Sequence, residues 1–371
     1  MPALLQNVDP DGLLEYSVVF TDRSLNHMSQ KFQQVMRDVS AILKETYNAE
    51  QVVVIPGGGT YAMEAVARQF ATGQDVLVVR NGFFSFRWSQ ILDAGGIAKR
   101  TTVKMARPIE DRKFAAFAPA PLAEVQSEIS ANRCALVFAP HVETASGILL
   151  PDDYVRGLAD AVHEVGGLMV LDCIASGALW VDMQALGVDI LISAPQKGWS
   201  GSPCAGLVML GTRAIERLAQ TQSSSFALDL RKWSDIMAAY EKGGHAYHAT
   251  MPTDGIRAFR DASIETRAFG MAKAKAAQIE LGTKVRNLFA QNGFFSVAAP
   301  GFEAPGVVVS YTDDAVLAGK FLGNGLQVAA GVALQCNEPE WFKTFRIGLF
   351  GLDKLADVNG AVDRLQRGMP R

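Results

Sequence analysis

The spacing of apolar residues along the chain predicts one helix and then a series of buried strands. Apolar side chains recur every three or four positions from Phe32 to Leu43, which predicts an amphipathic helix over 30–46. Short continuous apolar runs follow it: QVVVI (51–55), DVLVV (75–79), CALVFA (134–139), LMVL (168–171), DILIS (189–193) and GLVML (206–210). Because these runs do not alternate with polar residues, both faces of each strand should be covered, which predicts a mostly parallel α/β sheet.

The pattern changes beyond residue 220. The stretch 221–233 is polar and mixed, and 242–255 carries Gly, His and Pro without a period. Residues 256–291 then predict a long helix, either continuous or interrupted. The sequences FSVAA, GVVVSY, LQVAA and FRIGLF predict further strands. We therefore expect a large α/β domain over 20–250 and a smaller α+β domain over 255–371, on which residues 1–19 pack.

Composition excludes several classes of protein. The 371 residues suffice for two or three domains, and 35 Lys and Arg against 38 Asp and Glu give a net charge of −3, unlike a nucleic-acid binder. The stretch 1–12 lacks the features of a targeting segment, and no apolar run is long enough to span a membrane. The four cysteines form no CxxC pair. We expect a cytoplasmic protein with buried thiols and no metal site.

Three consecutive glycines follow the first predicted strand, in the sequence IPGGGTYAME (55–64). Gly58 and Gly59 would let the backbone approach an anion, and Thr60 with the first N–H groups of the next helix could hold it. The sequence matches neither GxGxxG nor GxxxxGK[ST], so it suits a single phosphate better than a dinucleotide. A tight turn without a ligand remains the alternative.

Charged residues stand at the ends of two later strands. Asp172 directly follows a buried run, where a carboxylate is costly unless it meets a cation or hydrogen-bond donors. Its partner could be Mg²⁺, an arginine or a protonated heterocycle, or Asp172 could simply cap the next turn. Lys197 lies among small residues in SAPQKGWSG (193–201), where desolvation would lower its pKa and make the amine a nucleophile. A solvated surface lysine is the alternative.

These three features together indicate one cofactor. An anion-binding loop, a strand-end Asp and a strand-end Lys 25 residues later are the groups that pyridoxal phosphate requires for its phosphate, pyridinium nitrogen and aldehyde. In this order they resemble the class V aminotransferases of fold type I, in the branch of the alanine–glyoxylate and serine–pyruvate aminotransferases. The resemblance spans roughly residues 20–350.

The resemblance implies pyridoxal 5′-phosphate as cofactor and a large domain built on a seven-stranded, mostly parallel sheet flanked by helices, with a smaller α+β C-terminal domain. It implies that Lys197 forms the internal Schiff base and that Asp172 pairs with the ring nitrogen. Further implied contacts are Ile174 and Phe84 on the two ring faces, Thr144 near the ring oxygen or nitrogen, and Gly58, Gly59, Thr60 and Gln196 at the phosphate.

Two later segments also resemble the family. Tyr247 and Thr250, in YHAT (247–250), match a segment that reaches across a dimer interface, which implies a homodimer in which they complete the partner's phosphate site. Arg346, in FRIG (345–348), matches the arginine that binds the substrate carboxylate. Its position in an apolar strand also suits bidentate carboxylate binding, with an internal salt bridge as the alternative.

The chain departs from the family pattern in two places. The branch usually has a Pro-Gly-Pro loop along the substrate pocket, where this chain reads YSVVFTDRSLNHMSQ (16–30). Asn26 and His27 within it, and His141, are candidates to face this altered pocket. Phe84 stands where Trp is usual, and Ser85 stands where Gly is common. These departures leave the substrate open.

We expect an aminotransferase that moves an amino group from an alanine- or serine-type amino acid to a glyoxylate- or pyruvate-type 2-oxo acid, with Lys197 as general base and Arg346 on the carboxylate. A pyridoxal-phosphate-dependent lyase on the same fold is one alternative, because no spacing of residues reports which bond at the α-carbon breaks. A cofactor-free binding scaffold is the alternative from another class.

Overall fold

The computed structural model describes residues 8–370, in which strands and helices alternate along much of the chain. The strands are β1 (Gln51–Pro56), β2 (Asp75–Arg80), β3 (Arg100–Met105), β4 (Arg107–Pro108), β5 (Phe117–Ala118), β6 (Leu136–Pro140), β7 (Val142–Glu143), β8 (Ile148–Leu149), β9 (Leu168–Asp172), β10 (Ile190–Ser193), β11 (Ala205–Leu210), β12 (Val307–Tyr311), β13 (Ala329–Ala330) and β14 (Thr344–Gly348). The helices are α1 (Gln30–Tyr47), α2 (Gly59–Phe70), α3 (Phe83–Ala94), α4 (Leu122–Asn132), α5 (Asp152–Glu164), α6 (Met183–Leu186), α7 (Thr212–Gln220), α8 (Leu230–Glu241), α9 (Thr253–Phe269), α10 (Met271–Gln291), α11 (Leu317–Gly323), α12 (Leu352–Leu355) and α13 (Val358–Arg367).

The central sheet has seven strands in the order β1-β11-β10-β9-β6-β2-β3. Neighbouring strands from β10 to β3 run parallel, and β11 runs antiparallel to both β1 and β10. The expected mostly parallel α/β sheet is therefore confirmed. The apolar runs did not reveal β3, because its sequence RTTVKM is largely polar and the strand lies half-buried at the edge of the sheet.

The first helix buries the face that its apolar spacing predicts. Phe32, Val35, Val39 and Leu43 are fully buried, and α1 packs against α8, α9 and β1. Ser29 caps the helix by accepting a hydrogen bond from the Phe32 N–H at 3.1 Å. This helix closes one face of the central sheet.

The long helix predicted over 256–291 is interrupted. It begins three residues earlier, as α9, and restarts as α10 after Gly270, whose φ of 104° favours glycine. Together α9 and α10 account for most of residues 253–291.

A second, three-stranded sheet lies in the C-terminal part, in the antiparallel order β12-β14-β13. Two predicted strands differ from the structure: FSVAA (295–299) forms only isolated bridges, and LQVAA (326–330) is reduced to the two residues of β13. Edge segments of this kind lack a second neighbour to extend the ladder. The sheet packs through Phe345 and Ile347 onto apolar residues of α10 and α13.

The domain limits of 20–250 and 255–371 stay a prediction. Residues 1–7 of the segment expected to pack on the smaller domain lie outside the described residues. Val8, the first described residue, instead belongs to the apolar core around the seven-stranded sheet, where its carbonyl accepts a hydrogen bond from Lys31 Nζ.

All four cysteines are buried and form no disulfide, as the sequence predicts. Between residues 8 and 370, no helix combines the length and the apolar character that crossing a membrane requires.

Candidate active site

The residues singled out in the sequence meet at one edge of the central sheet. Asp172 is the last residue of β9, and it lies opposite Pro140 at the end of β6 and Ile192 near the end of β10. Lys197 follows β10 by four residues, and Phe84 lies in the first turn of the helix after β2. Because β2, β6, β9 and β10 are parallel, their carboxyl ends share this edge, which is where α/β sheets bind ligands.

Two connected cavities open at this edge. The smaller one, of about 120 Å³, is lined by eight residues predicted from the sequence: Gly59, Thr60, Phe84, Thr144, Asp172, Ile174, Gln196 and Lys197. Gly58 lies just before it as the N-cap of α2. The larger cavity, of about 560 Å³, shares Phe84, Thr144 and Lys197 with the smaller one and extends to Arg346.

Arg346 projects from β14 of the second sheet into the larger cavity. Its Nε donates to the Ala330 carbonyl at 3.0 Å, and its guanidinium carbon lies 5.6 Å from the centre of the Phe84 ring. Within residues 8–370 it forms no ion pair, so the structure does not show the internal salt bridge considered above. Burial lowers the pKa of the guanidinium from its usual value, but an arginine of this kind stays charged.

Tyr247 and Thr250 do not line the cavities of their own chain. The two hydroxyl oxygens lie 2.9 Å apart, and the Tyr247 side chain is 54% exposed. The pair therefore lies on the surface of the described chain, with the tyrosine available to another molecule.

No residue of the altered segment 16–30 lines either cavity. His27 is buried against Phe20, His245 and Tyr247, and its carbonyl accepts a hydrogen bond from the Tyr240 hydroxyl. The Asn26 side-chain amide donates hydrogen bonds to the Glu15 carboxylate and the Ser17 hydroxyl. The His141 ring is hydrogen-bonded to the Ser176 hydroxyl. None of Asn26, His27 and His141 lines either cavity of this chain, and their place at the pocket stays a prediction.

Two glycines allow the site to form. A Cβ atom on Gly59 would lie 2.8 Å from Ile174 Cγ1, so glycine lets Ile174 reach the start of α2. A Cβ atom on Gly198 would lie 2.6 Å from the carbonyl carbon of Gly177, so the loop that carries Lys197 packs directly on the backbone. The same loop is anchored by Trp199, which is buried and donates to the Tyr47 hydroxyl at 3.2 Å.

Asp172 is a buried carboxylate with one hydrogen bond. Its Oδ1 accepts from the Ile174 N–H at 3.0 Å, and Oδ2 has no partner in the described chain. Burial raises the pKa of Asp172 to about 6, and the negative charge of Glu143 adds to the rise, whereas that hydrogen bond and the positive charges of Lys197 and Arg87 oppose it. Such a group gains from a positively charged partner.

Lys197 is a largely buried amine. Its Nζ forms no hydrogen bond or ion pair with residues 8–370, and it lies 5.2 Å from the centre of the Phe350 ring. Burial lowers the pKa of the amine, Arg346 lowers it further, and Asp172 opposes both. A larger share of the amine is therefore unprotonated near neutral pH, which is the form that attacks a carbonyl.

Glu143 is a fully buried carboxylate that the sequence analysis missed. Its two oxygens accept hydrogen bonds from the N–H groups of Phe84, Ser85 and Ala145 and from the Ser85 hydroxyl, at 3.2, 2.8, 2.9 and 2.7 Å. Burial raises the pKa of Glu143, while these hydrogen bonds lower it. The carboxylate thus ties the first turn of α3, which carries Phe84, to the segment that carries Thr144.

Sequence signals for the missed residues existed. Glu143 is an acidic residue that follows the buried apolar run 134–139 by a few positions, next to Thr144. Asp172, which the sequence did reveal, stands in a similar way at the end of a buried run. Arg87, which also lines the smaller cavity, follows Phe84 by three positions, and this spacing places both on one face of a helix.

Comparison with known proteins identifies the family. The sequence model of the family described as Aminotransferase class-V matches residues 12–334, and the chain belongs to that family. The resemblance seen in the sequence is confirmed, and the cofactor of this class of enzymes is pyridoxal 5′-phosphate.

Relatives of known description cover most of the chain. A 2-aminoethylphosphonate–pyruvate transaminase of Paraburkholderia xenovorans is 29% identical over 348 residues, which are 90% of this chain and 89% of that protein. An alanine–glyoxylate aminotransferase of Oryctolagus cuniculus is 24% identical over 92% of this chain and 84% of its own length. A soluble hydrogenase 42 kDa subunit of Anabaena cylindrica is 31% identical, but the match covers only 58% of this chain and 54% of that protein.

A solved structure shows the same fold. The alanine–glyoxylate aminotransferase of Nostoc sp. superimposes with a TM-score of 0.77 at 22% identity, covering 92% of this chain and 88% of the other. The expected fold type I architecture is confirmed.

The residues of the cavities fit this cofactor. An amine and a carboxylate, both buried and incompletely bonded, face a space that begins at the N-terminus of a helix with no side-chain cap. Pyridoxal phosphate brings an aldehyde, a basic ring nitrogen and an anion, one for each of these groups.

The raised pKa of Asp172 predicts a pH-dependent stability in the cofactor-free protein. Ionising the buried carboxylate destabilises the folded state. This destabilisation is absent below the pKa of the unfolded state near 4, grows as the pH rises and is complete above about 6. The free energy of unfolding of Asp172→Asn, measured relative to wild type, should therefore be higher at pH 7.5 than at pH 4.5, by on the order of 2 kcal/mol. Urea unfolding at both pH values measures this difference, with Asp160→Asn on the exposed face of α5 as control. An equal effect at the two pH values would contradict the assignment.

Removal of Glu143 should destabilise the protein and loosen the site. Glu143→Ala leaves the N–H groups of Phe84, Ser85 and Ala145 without an acceptor, while the Ser85 hydroxyl keeps only the Gly82 carbonyl. We therefore expect a loss of about 3–5 kcal/mol in the free energy of unfolding. Ser85→Gly removes one of these donors and should cost about 1 kcal/mol. Glu216→Ala, on an exposed position of α7, is the control. Denaturant unfolding measures this loss. A free energy of unfolding for Glu143→Ala within about 0.5 kcal/mol of that control, which is the scatter for surface changes, would refute the role of Glu143 as a hydrogen-bond acceptor.

Proposed function

We propose that this chain is a pyridoxal-phosphate-dependent aminotransferase that moves an amino group from a small amino acid to a glyoxylate- or pyruvate-type 2-oxo acid. The observation that carries the proposal is the grouping of Lys197, Asp172 and Arg346 around two cavities that share part of their lining. An amine, a carboxylate and a guanidinium in one enclosed space can bind a carbonyl, a ring cation and a substrate acid group.

Each part of the cofactor has a candidate partner in this chain. Lys197 would hold the aldehyde carbon and Asp172 the ring nitrogen. The other proposed contacts are Phe84 and Ile174 on the ring faces, Thr144 at the ring edge, and Gly58, Gly59, Thr60 and Gln196 at the phosphate. When bound, pyridoxal phosphate supplies an electron-withdrawing ring that stabilises negative charge at the substrate α-carbon.

Lys197 has the properties of a general base as well as a nucleophile. Its pKa is lowered by burial, so the amine can accept a proton near neutral pH and return it. Asp172 on the adjacent strand stabilises the protonated form of the amine and, once ionised, a proton on a ring nitrogen. The two groups thus lie at fixed positions on one sheet edge, where each affects the protonation of the other.

Arg346 is proposed to bind the acid group of the substrate. Its guanidinium has no carboxylate partner in the described chain, and a planar fork of donors suits a carboxylate in two-point contact. One relative is named for alanine and glyoxylate and another for 2-aminoethylphosphonate and pyruvate. A guanidinium binds a carboxylate or a phosphonate, so we propose an alanine- or serine-type donor and keep 2-aminoethylphosphonate as the second candidate.

Lys197→Ala tests the proposed function directly. We expect wild type to take up pyridoxal phosphate with a visible absorption band, and each productive amino donor to convert that band in the absence of an oxo acid. Lys197→Ala should lose the band and at least about 10²-fold in turnover, whereas Lys99→Ala, a surface lysine, should keep both. Stopped-flow absorbance with alanine, serine, glycine and 2-aminoethylphosphonate, one at a time, measures the half-reaction.

Three results would overturn the proposal. Retention of both the band and turnover in Lys197→Ala would remove the role of the lysine. Release of ammonia or of a cleavage fragment without any oxo acid would indicate a lyase on this fold. Wild-type protein that stays colourless in excess pyridoxal phosphate would indicate a binding scaffold without the cofactor.

We further propose a homodimer in which Tyr247 and Thr250 complete the site of the partner subunit. In support, the two residues lie outside the cavities of their own chain. Tyr247 and, on α2, Tyr61 are about half exposed, and Phe226 is mostly exposed. The four buried, unpaired cysteines also accord with a cytoplasmic location, which stays part of the proposal.

Hybrid dimers test this arrangement. Lys197→Ala and Tyr247→Ala proteins should each have low activity alone, but a co-expressed hybrid contains one site with both residues intact. We expect activity to return in the hybrid to at least half of the wild-type value per intact site (an order-of-magnitude expectation from independent sites). A hybrid no more active than the sum of the two parents would contradict the cross-subunit role.

A further inference from the structure

The smaller cavity contains a second cation besides Lys197. Arg87 lies one helical turn beyond Phe84 on α3, and its Nη1 donates to the Thr60 hydroxyl at 3.1 Å. Its guanidinium carbon lies 5.3 Å from the centre of the Phe84 ring, within the range of a cation–π contact. Within residues 8–370 no carboxylate forms an ion pair with it.

The proposed phosphate cradle contains no charge of its own. Gly58 and Gly59 contribute only backbone, and Thr60 and Gln196 are neutral. A phosphate monoester carries about 1.5 to 2 negative charges at pH 7. The open N-terminus of α2 offers only a partial positive charge, so a nearby full positive charge would offset more of the hydration that the anion loses.

We propose that Arg87 binds the phosphate group of pyridoxal phosphate, together with Thr60, and makes the site select the phosphorylated cofactor over pyridoxal. The inference rests on the proposed function, because it assumes that this cavity holds the cofactor. An arginine fork suits a phosphate better than a lysine does, since two parallel N–H donors match two phosphate oxygens.

The contacts of Arg87 fix the guanidinium for this task. Phe84 supports one side of it, and the hydrogen bond to Thr60 turns Nη1 toward the start of α2. The positive charge of Arg87 also lowers the pKa of Asp172 and of Lys197, although burial and other charged groups act more strongly on both. Its field therefore reaches the groups that would hold the rest of the cofactor.

A comparison of two ligands isolates the phosphate contact. Tryptophan fluorescence of the cofactor-free protein is titrated with pyridoxal phosphate and with pyridoxal, which lacks the phosphate. Arg87→Met keeps the length and apolar contacts of the side chain but removes the charge. We expect it to weaken pyridoxal phosphate by about tenfold to a hundredfold and pyridoxal by less than about threefold.

Conservative and remote variants complete the design. Arg87→Lys should give an intermediate loss, because the charge remains and the fork is lost. Arg156→Met, on an exposed position of α5, should match wild type for both ligands. Inorganic phosphate should raise the melting temperature of the wild-type protein and raise that of Arg87→Met less. If Arg87→Met does not fold, the ratio of the two affinities in Arg87→Lys and the phosphate response of that variant decide the question.

Specific outcomes overturn the inference. Equal losses for the two ligands in Arg87→Met would show that Arg87 only orients the Phe84 ring. An unchanged affinity for pyridoxal phosphate with a raised KM for the amino donor would assign Arg87 to the substrate. Wild-type protein that binds neither ligand would instead refute the proposed function, so the two failures are distinguishable.

Discussion

Removing charged groups from water at the carboxyl edge of the central sheet is the constraint on which the site depends. Glu143, Asp172 and Lys197 all lie there, and a buried charge must be compensated. Within the described chain, four donors compensate Glu143 and one donor compensates Asp172, whereas the Lys197 amine has no hydrogen-bond acceptor and no ion-pair partner. Glu143, whose charge is compensated within the chain, therefore has a structural role, whereas Asp172 and Lys197, whose charges are compensated only partly or not at all, are suited to bind a ligand.

Phe84 lies where the two halves of the site meet. Its backbone is held by Glu143, and its ring is contacted by Arg87 of α3 and by Arg346 of the second sheet, at 5.3 and 5.6 Å. A tryptophan at this position would present a larger ring. The phenyl ring leaves more room, and both guanidinium groups reach it from elements that are far apart in sequence.

The sequence predicted the sheet and the residues at its edge because continuous apolar runs and the polar residues after them are local signals. Asp172 and Lys197 are of this kind. The half-exposed β3 was missed because it contains no apolar run, and the position of the break at Gly270 came only from the structure, since each depends on what packs around the segment. Glu143 was missed because its role depends on donors that lie 58 and 59 residues earlier in the chain. A long-range contact of that kind leaves no periodic trace.

The antiparallel placement of β11 has a mechanical consequence for the reactive lysine. The loop between β10 and β11 leaves and re-enters the sheet at the same edge, and its two ends are tied to adjacent hydrogen-bonded strands about 4.8 Å apart. The connections that follow β2 and β9 instead lead away into helices before the chain returns. Lys197 thus lies in a loop whose two ends are both fixed by the sheet. Insertions in the helical connections between other strands can therefore lengthen the protein without displacing the lysine amine.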